Sequence, residues 1–373
     1  MLANPFLTTG YQGAEYFCDR EEETNLMLEN LVNGRSTTLT SIRRMGKTGL
    51  IRHVLANLPD DYIGIYTDIL PSETMGEFLN ILVSAVFNSL PEKSTPGEKI
   101  LDFIKSLRPV ISYDPLTGQP QVTIELRPGD ATKHIDSMLK YLDQYPKKVI
   151  IAIDEFQQIL EYPEKNADSW LRSIIQSLSN VRFIFAGSQQ HLMAELFSDP
   201  SRPFYQSTSF LKIGKIKHEK YAGFIGHHFN DAGKQINEEV INEVLEWTQL
   251  HTYYVQLLCN SIFSGNIDLI TSDCWKERAS WLLQENELIF FRYRDILTKQ
   301  QWLLLKAIAH DDVVYLPTSK EFVAKHNLGS PATVLRSLQS LQLKGLIYND
   351  YDNSGDSFYC VYDLLFKRWI QRY

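Results

Sequence analysis

Residues 37–55, TTLTSIRRMGKTGLIRHVL, decide the fold of this chain. Small and β-branched residues at 37–40 predict the end of a buried strand, and a tight loop containing Gly46-Lys47-Thr48 follows it. Apolar residues between 50 and 55 then recur at helical spacing. A strand, a loop with Gly-Lys-Thr and a helix in this order are typical of a phosphate-binding loop, the P-loop.

The chemistry of a P-loop depends on this order of elements. Successive backbone N–H groups surround a phosphate, and the start of the helix adds the positive end of its dipole. Lys47 is expected to reach the β- and γ-phosphates as a catalytic residue, and the Thr48 hydroxyl is expected to bind a metal ion. The residues expected to contact the nucleotide are Ser41, Arg43, Arg44, Met45, Gly46, Lys47, Thr48 and Gly49.

One position departs from the P-loop motif. Ser41 stands where the first glycine is expected, and a serine is strained there if the turn requires a positive φ. The alternative interpretation of the whole stretch is an ordinary helix N-terminus that happens to carry a basic residue.

The composition limits the class of protein. A length of 373 residues suggests two or three domains, and 44% hydrophobic with 22% charged residues is typical of a globular protein. The net charge of -8 argues against a protein that coats nucleic acid or anionic membranes. The sequence shows no secretory signal and no apolar run of the ~18 residues that a membrane span requires. Four widely spaced cysteines, without metal-ligand spacing, complete the prediction of a cytoplasmic protein.

A second signal lies at residues 147–155, KKVIIAIDE. A continuous apolar strand ends there in two carboxylates, and in parallel sheets ligands lie beyond the carboxyl ends of the strands. Asp154 is therefore expected to hold Mg²⁺ with Thr48, and Glu155 is expected to be the catalytic base that orients a water molecule. The alternative is that Asp154 or Glu155 only caps the helix that follows.

Residues 181–189, VRFIFAGSQ, predict another buried strand that ends in polar residues. Ser188 or Gln189 could contact the γ-phosphate or the attacking water from there. The alternative is that this segment only forms the turn that starts the next helix, and the sequence favours neither interpretation.

Arg202 lies in the exposed segment Ser201-Arg202-Pro203 that follows this strand. It is the candidate for an arginine finger, which would stabilise charge on the transferred phosphate. A solvated loop arginine is the alternative that the sequence favours.

The order of elements predicts three domains. Strands alternate with helices over residues 1–215, which indicates an α/β core with a parallel sheet, interrupted by a hairpin insertion at about 108–127. Residues 216–294 are predicted to be an all-α lid. Residues 295–373 predict three helices followed by a hairpin, which is the order of a winged helix.

The predicted winged helix could bind DNA or a protein. Its third helix carries Arg336 and Lys344 and no acid, which permits DNA binding. Its hairpin carries Asp350, Asp352 and Asp356, which would repel phosphates. A role in protein contact or packing is therefore favoured, and DNA binding remains the less favoured alternative.

The helix predicted just before the P-loop strand begins with acidic residues. Asp19 is predicted to be the N-cap of that helix, with acids in its first turn. A capped surface helix explains these acids fully, and only the position of Arg20-Glu21, just upstream of the P-loop, suggests a role near the nucleotide.

With these motifs in order, the chain resembles the AAA+-related ATPases of archaea and bacteria, which are grouped with the STAND NTPases and are similar in layout to origin-recognition ATPases. The resemblance rests on Phe17 with Arg20-Glu21, on residues 42–48 as Walker A, on residues 150–155 as Walker B, and on residues 185–188. It implies an AAA+ core that binds ATP or ADP with Mg²⁺. The Gly-x-Pro that is usual in the lid is replaced by Leu250-His251-Thr252.

Three functions follow as hypotheses. The leading one is an ATP-binding protein and Mg²⁺-dependent ATPase that acts as a nucleotide-controlled switch, repositioning the lid and the winged helix and contacting a protein partner. The second is a nucleotide-binding scaffold or defence module with little hydrolysis. The third is a DNA-binding regulator. The sequence leaves the oligomeric state open.

Overall fold

The computed structural model describes residues 4–90, 95–107, 109–114, 118, 120–124, 129–265, 267–352 and 354–372. The chain forms two units. Residues 7–221 and 251–253 form the first, here called the P-loop unit. The second, here called the C-terminal unit, comprises residues 222–250 and those from 254 onwards, together with the described residues before Leu7.

The P-loop unit is built on a parallel sheet. Its strands are β1 (Thr37–Thr40), β2 (Tyr62–Asp68), β3 (Val110–Tyr113), β4 (Pro120–Thr123), β5 (Lys148–Asp154), β6 (Val181–Gly187) and β7 (Ser209–Lys212). Five of them form the sheet in the order β2-β5-β6-β1-β7, and every neighbouring pair is parallel. Asp68 pairs with Asp154, and Thr40 pairs with Gly187. The carboxyl ends of β1, β2, β5 and β6 therefore lie side by side at one edge of the sheet.

Helices cover both faces of this sheet. They are α1 (Glu21–Val32), α2 (Lys47–Ala56), α3 (Met75–Ser89), α4 (Thr95–Ser106), α5 (Asp130–Asp143), α6 (Ala167–Ile175) and α7 (Gln190–Ser198), with 3₁₀ helices at Ala14–Tyr16 and Phe156–Glu161. Because side chains alternate along a strand, Ile150 and Ala152 of β5 pack in one core with α1 and α2. Ile151 and Ile153 pack in a second core with α3 and α5. Burial on both faces explains why this strand is apolar throughout.

The segment between α3 and α5 contains a helix that the sequence analysis did not predict. This helix is α4, and it buries Ile100 and Ile104, which are one helical turn apart. Strands β3 and β4 form an antiparallel pair within the predicted insertion at 108–127. Residues 108, 115–117, 119 and 125–127 of that insertion lie outside the described residues.

The C-terminal unit begins within α8 and is mostly helical. Its first part contains α8 (His218–Asp231), α9 (Glu238–Trp247), α10 (Thr252–Phe263), α11 (Ser272–Glu285), α12 (Glu287–Asp295) and the short parallel strands β8 (Gln235–Ile236) and β9 (Leu269–Ile270). The division of this unit into a lid and a separate winged-helix domain remains a prediction.

Its second part has the winged-helix order. The elements are α13 (Lys299–Asp311), α14 (Lys320–Lys325), α15 (Pro331–Leu343), β10 (Ile347–Tyr351), β11 (Ser357–Val361) and α16 (Leu364–Ile370). Strands β10 and β11 form the antiparallel wing, and an isolated bridge joins Val314 to Tyr359. Ser319 and Ser330 cap α14 and α15 through their side chains.

Among the described residues, no helix combines the length and the apolar character that crossing a membrane requires.

Candidate functional site

The P-loop connects the end of β1 to the start of α2. Arg44 and Gly46 have φ values of 64° and 93°, so the loop turns through left-handed backbone at these two positions. Glycine suits this conformation at position 46 because it has no Cβ. Ser41 is not among the residues with positive φ, and its hydroxyl donates to the Ile42 carbonyl at 2.8 Å. The strain expected from a serine in place of the motif's first glycine is therefore absent.

Lys47 is the first residue of α2, and it is only 5% exposed. Its Nζ lies 3.3 Å from the Ser41 Oγ and 3.5 Å from the Ser41 carbonyl oxygen, which are long distances for hydrogen bonds. Burial lowers the pKa of Lys47, the nearby carboxylates of Glu155 and Asp154 oppose this shift, and Arg43 adds to it. A buried ammonium with weak partners fits the binding of an anionic phosphate.

Thr48 and Asp154 meet directly. The Thr48 hydroxyl donates to the Asp154 Oδ2 at 2.6 Å, and the backbone N–H of Glu155 donates to the Oδ1 at 3.0 Å. Tyr66 also donates to the Oδ2, at 3.0 Å, and the sequence analysis missed this residue. Its position near the end of β2, beside β5, is the signal that could have identified it.

The Tyr66 side chain is enclosed by charged groups. Burial, followed by the charges of Asp154 and Asp68, raises the pKa of its phenol, so Tyr66 donates to Asp154 as a neutral group. The Arg52 guanidinium lies over its ring, 4.2 Å from the centroid. Burial also raises the pKa of Asp68, and the charges of Asp154 and Glu155 add to this rise.

Glu155 follows the strand with a φ of 55°, and it makes no side-chain cap for the 3₁₀ helix after it. Its Oε2 accepts hydrogen bonds from the Ser188 hydroxyl at 2.7 Å and from the Gln157 Nε2 at 2.5 Å. Gln157 is only 2% exposed, and no local pattern distinguishes it from other glutamines. A hydrogen bond therefore connects Glu155, the predicted base, with Ser188, the predicted phosphate sensor.

The donor set can be tested against a metal ion. Among the described ranges, no group of three or more His, Cys, Asp or Glu side chains could hold a metal ion. The Thr48 hydroxyl and the Asp154 carboxylate are hard oxygen ligands in direct contact. Mg²⁺ typically takes only one or two protein ligands together with phosphate oxygens and water, and this pair fits that pattern.

Arg20 supports the P-loop from the N-terminal side. It is 4% exposed, and its guanidinium donates to Glu23 at 2.8 Å, to the Gly214 carbonyl at 2.7 Å and to the Met45 carbonyl at 3.4 Å. The predicted N-cap role of Asp19 is wrong. Both Asp19 and Arg20 have left-handed φ values, and α1 begins at Glu21 with Arg20 in the N-cap position.

Residues 251–253 lie against the P-loop, within the same unit. The backbone N–H of Tyr253 donates to the Arg44 carbonyl at 3.2 Å, and the Arg44 guanidinium lies over the Tyr253 ring at 4.5 Å. Burial lowers the pKa of His251 to about 4, and the nearby cations Lys215 and Arg44 add to this shift. This segment replaces the usual Gly-x-Pro of the lid, yet it still contacts the loop.

The remaining predicted residues lie around this centre. Met45 is buried, and a Cβ at Gly49 would lie 3.5 Å from the Phe17 ring. Gln189 is the N-cap residue of α7 and caps it without a side-chain bond. The Arg202 side chain is 33% exposed, and its guanidinium pairs with Glu195 and, at 3.6 Å, with Asp168, so its role as an arginine finger stays a prediction.

Comparison with known protein families identifies both parts of the chain. Residues 17–258 match the family described as "ATPase domain predominantly from Archaea", and residues 288–372 match the family described as "Probable winged helix domain". An ATP-binding protein of Methanocaldococcus jannaschii is 28% identical over 202 residues, which cover 48% of each chain. An ATP-binding protein of Pyrococcus abyssi is 27% identical over 150 residues, covering 38% of this chain and 44% of that protein. The chain spans about half the length of these relatives.

Solved structures show the same fold over nearly the full length. The Walker-type ATPase Paby2304 of Pyrococcus abyssi superposes with a TM-score of 0.66 at 20% identity, covering 98% of this chain and 99% of that one. The ORC2 protein of Aeropyrum pernix, in its ADPNP-ADP complexes, gives a TM-score of 0.58 at 11% identity, covering 94% and 93%. The fold is therefore an AAA+-like P-loop core followed by a C-terminal winged helix. This chain belongs to the family of ATPase domains found predominantly in Archaea.

Proposed function

We propose that this protein binds ATP or ADP with Mg²⁺ at its P-loop, hydrolyses ATP, and acts as a switch controlled by the bound nucleotide. The observation that carries the proposal is the convergence of Lys47, Thr48, Asp154, Glu155 and Ser188 at the carboxyl ends of three neighbouring strands. The family and the ATP-binding relatives support the same conclusion.

In this proposal, each side chain has a separate task. Lys47 holds the β- and γ-phosphates, and its desolvation strengthens that attraction. Thr48 and Asp154 would hold Mg²⁺, which when bound neutralises charge on the phosphate oxygens. Tyr66 orients the Asp154 carboxylate by its hydrogen bond.

Glu155 is proposed to orient the attacking water and to accept its proton. The Ser188 hydroxyl now donates to Glu155, and a hydroxyl has a single proton to donate. A γ-phosphate oxygen would compete with Glu155 for that proton, so Ser188 could report the phosphate by releasing the base. Gln157 keeps a second hydrogen bond to Glu155 and preserves the position of its carboxylate.

The switch would act through residues 251–253. They contact Arg44 of the loop, and the chain continues from them into α10 of the C-terminal unit. We propose that bound ATP changes the charge and the conformation at the P-loop and thereby repositions the lid and the winged helix. A local change of charge would in this way alter how these domains pack.

The first experiment measures ATP binding to the Lys47→Ala variant by titration calorimetry. Removing the ammonium is expected to abolish measurable binding, whereas the matched variant Lys147→Ala, at an exposed lysine, should bind like the parent. Equal ATP affinity of Lys47→Ala and the parent would refute the assignment.

A second experiment separates a switch that hydrolyses ATP from a scaffold that only binds it. Glu155→Gln should retain ATP binding and lose phosphate release, because an amide cannot accept the proton of the water. If parent and variant release phosphate equally slowly, the scaffold is the correct function.

The exposed face of α15 favours a protein partner for the winged helix. Leu335 is 50% exposed and Leu343 is 90% exposed on this helix, where Arg336 and Lys344 are the basic residues. The wing adds Asp350 and other acids that oppose phosphate binding. We therefore propose that the winged helix contacts a protein.

This assignment of the winged helix is tested with DNA. The full chain should show no salt-dependent binding to duplex DNA at low ionic strength, where phosphate contacts are strongest. Binding that weakens with salt and is lost in Arg336→Ala would instead establish the DNA-binding regulator.

We also propose a cytoplasmic location. None of the four cysteines forms a disulfide, and reducing compartments favour thiols. A fluorescent fusion imaged in cells would test the location, and enrichment at the cell surface would contradict it.

A further inference from the structure

A cavity of about 450 Å³ lies in the P-loop unit at the edge of the sheet opposite the P-loop. Residues that precede or begin β1, β6 and β7 line it, including Ser36, Val181 and Ser209. In a parallel sheet the amino ends of these strands face away from the carboxyl ends. The cavity is therefore separate from the nucleotide site.

Positive charge dominates the wall of this cavity. Three arginines, Arg35, Arg172 and Arg182, line it, and no lining residue is a carboxylate. Guanidinium groups are always charged and present planar donors that match carboxylate or phosphate oxygens. The balance of charge thus selects an anion.

Arg172 gives the strongest indication. Its Nε atom is buried, and within the described part of the chain it has no hydrogen-bond partner. Burial lowers the pKa of this guanidinium. Its guanidinium carbon lies 5.9 Å from the centroid of the Phe204 ring. A bound oxyanion would supply the missing acceptor.

Arg182 is held in place by the backbone around it. Its Nε donates to the Gly34 carbonyl at 2.6 Å, and its Nη1 donates to the Val181 carbonyl at 2.7 Å. None of the hydrogen bonds found in the described residues uses Nη2. A fixed guanidinium loses little entropy when it binds a ligand, so Arg182 is prepared for a further acceptor.

Polar and apolar residues share the rest of the wall, and the polar ones are Ser36, Gln206, Ser207, Thr208 and Ser209. Phe185 and Phe204 are buried side chains of the second core, whereas Ile175 is an apolar residue of the wall that is partly exposed. Sites of this size usually combine an apolar lining with a few placed polar groups. The ligand should therefore carry an apolar or aromatic body next to its charge.

We propose that this arginine-lined cavity is a second ligand site, which binds a small organic oxyanion with a phosphate or carboxylate group and an apolar body. Arg172 and Arg182 bind the oxyanion, Arg35 adds charge at the surface, and Ile175 contacts the body. This site does not depend on the proposed ATPase activity.

Titration of the full chain with phenyl phosphate tests the proposal. The parent should bind, and Arg172→Met, which keeps an unbranched side chain but removes the charge, should bind at least about tenfold more weakly. Arg35→Ala provides a second variant at an exposed residue, with a smaller loss expected. Arg336→Ala, which removes an exposed arginine of α15, should bind like the parent.

Further ligands and a P-loop variant complete the experiment. Benzoate in place of phenyl phosphate distinguishes a carboxylate ligand from a phosphate ligand, and benzyl alcohol, which has no charge, should bind far more weakly than either. Lys47→Ala should bind phenyl phosphate like the parent. The proposal is overturned if the parent does not bind, if Arg172→Met binds equally well, or if Lys47→Ala loses binding, which would place the ligand in the P-loop.

Discussion

Ser188 donates its hydroxyl to the carboxylate of Glu155 at 2.7 Å, although the two residues are 33 positions apart in the chain. The contact joins the ends of β5 and β6, which are neighbours in the sheet. In the proposed reaction it couples recognition of the γ-phosphate to the position of the base.

Ser188→Ala tests this coupling. Loss of the hydroxyl should lower kcat about tenfold or more, because the γ-phosphate loses a hydrogen-bond donor in the transition state, while ATP affinity changes little. Steady-state phosphate release together with calorimetric ATP binding separates the two effects. Ser188→Thr keeps the hydroxyl and should restore most of the rate, and a rate equal to the parent in Ser188→Ala would contradict the coupling.

Ser41→Gly tests the departure from the P-loop motif. Because Ser41 does not adopt a positive φ, restoring the glycine should leave ATP affinity within about twofold of the parent. It should also cost roughly 0.5–1 kcal/mol of stability, since glycine gains more freedom in the unfolded chain. Calorimetry and urea unfolding measure the two quantities, and a gain in affinity of about tenfold or more would show that the serine impairs phosphate binding.

The lowered pKa of His251 predicts how the free energy of unfolding depends on pH. Its pKa is about 4 in the folded protein, against 6.5 for the unperturbed group, so the folded state disfavours the protonated ring. Above pH 6.5 the neutral His251 leaves the free energy of unfolding at its full value. As the pH falls towards 4, protonation in the unfolded state lowers this free energy by about 3 kcal/mol.

His251→Gln removes the titrating group and serves as the comparison. Urea unfolding of parent and variant at several pH values between 7 and 4 should show a steeper loss for the parent. Parallel stability curves for the two proteins over this range would contradict the assignment.

The stacking of the Arg44 guanidinium on the Tyr253 ring should stabilise the folded protein. A guanidinium over an aromatic ring contributes about 0.5–1 kcal/mol at partly exposed sites. A double-mutant cycle with Arg44→Gln and Tyr253→Leu, read by urea unfolding, isolates this energy from the other effects of each change. Additive single changes would show that the stacking contributes nothing.

Much of the fold and part of the site could be predicted from the sequence. The apolar runs before Thr40 and Asp154 identify central strands, and Gly46-Lys47-Thr48 identifies the loop, because these signals are local. Since parallel strands end at one edge, Lys47 and Asp154 could be brought together without coordinates.

Other parts of the site depend on packing that no local pattern reveals. Tyr66 acts through Asp154 on the neighbouring strand, and Gln157 donates to Glu155 from within the 3₁₀ helix. Arg20 reaches Met45 only because of the path of the chain. The ion pairs of Arg202 could not be predicted either, because its partners Asp168 and Glu195 lie on two different helices.

The three acceptors of Arg20 come from α1, from the P-loop and from the segment after β7. Arg20 therefore contacts the Met45 carbonyl, at 3.4 Å, from a residue 25 positions earlier in the chain. Shortened versions of the protein, of the kind often made for crystallisation, would be misleading if they began after residue 20. They would retain every side chain proposed to contact phosphate and still lack a contact that the loop receives from outside it.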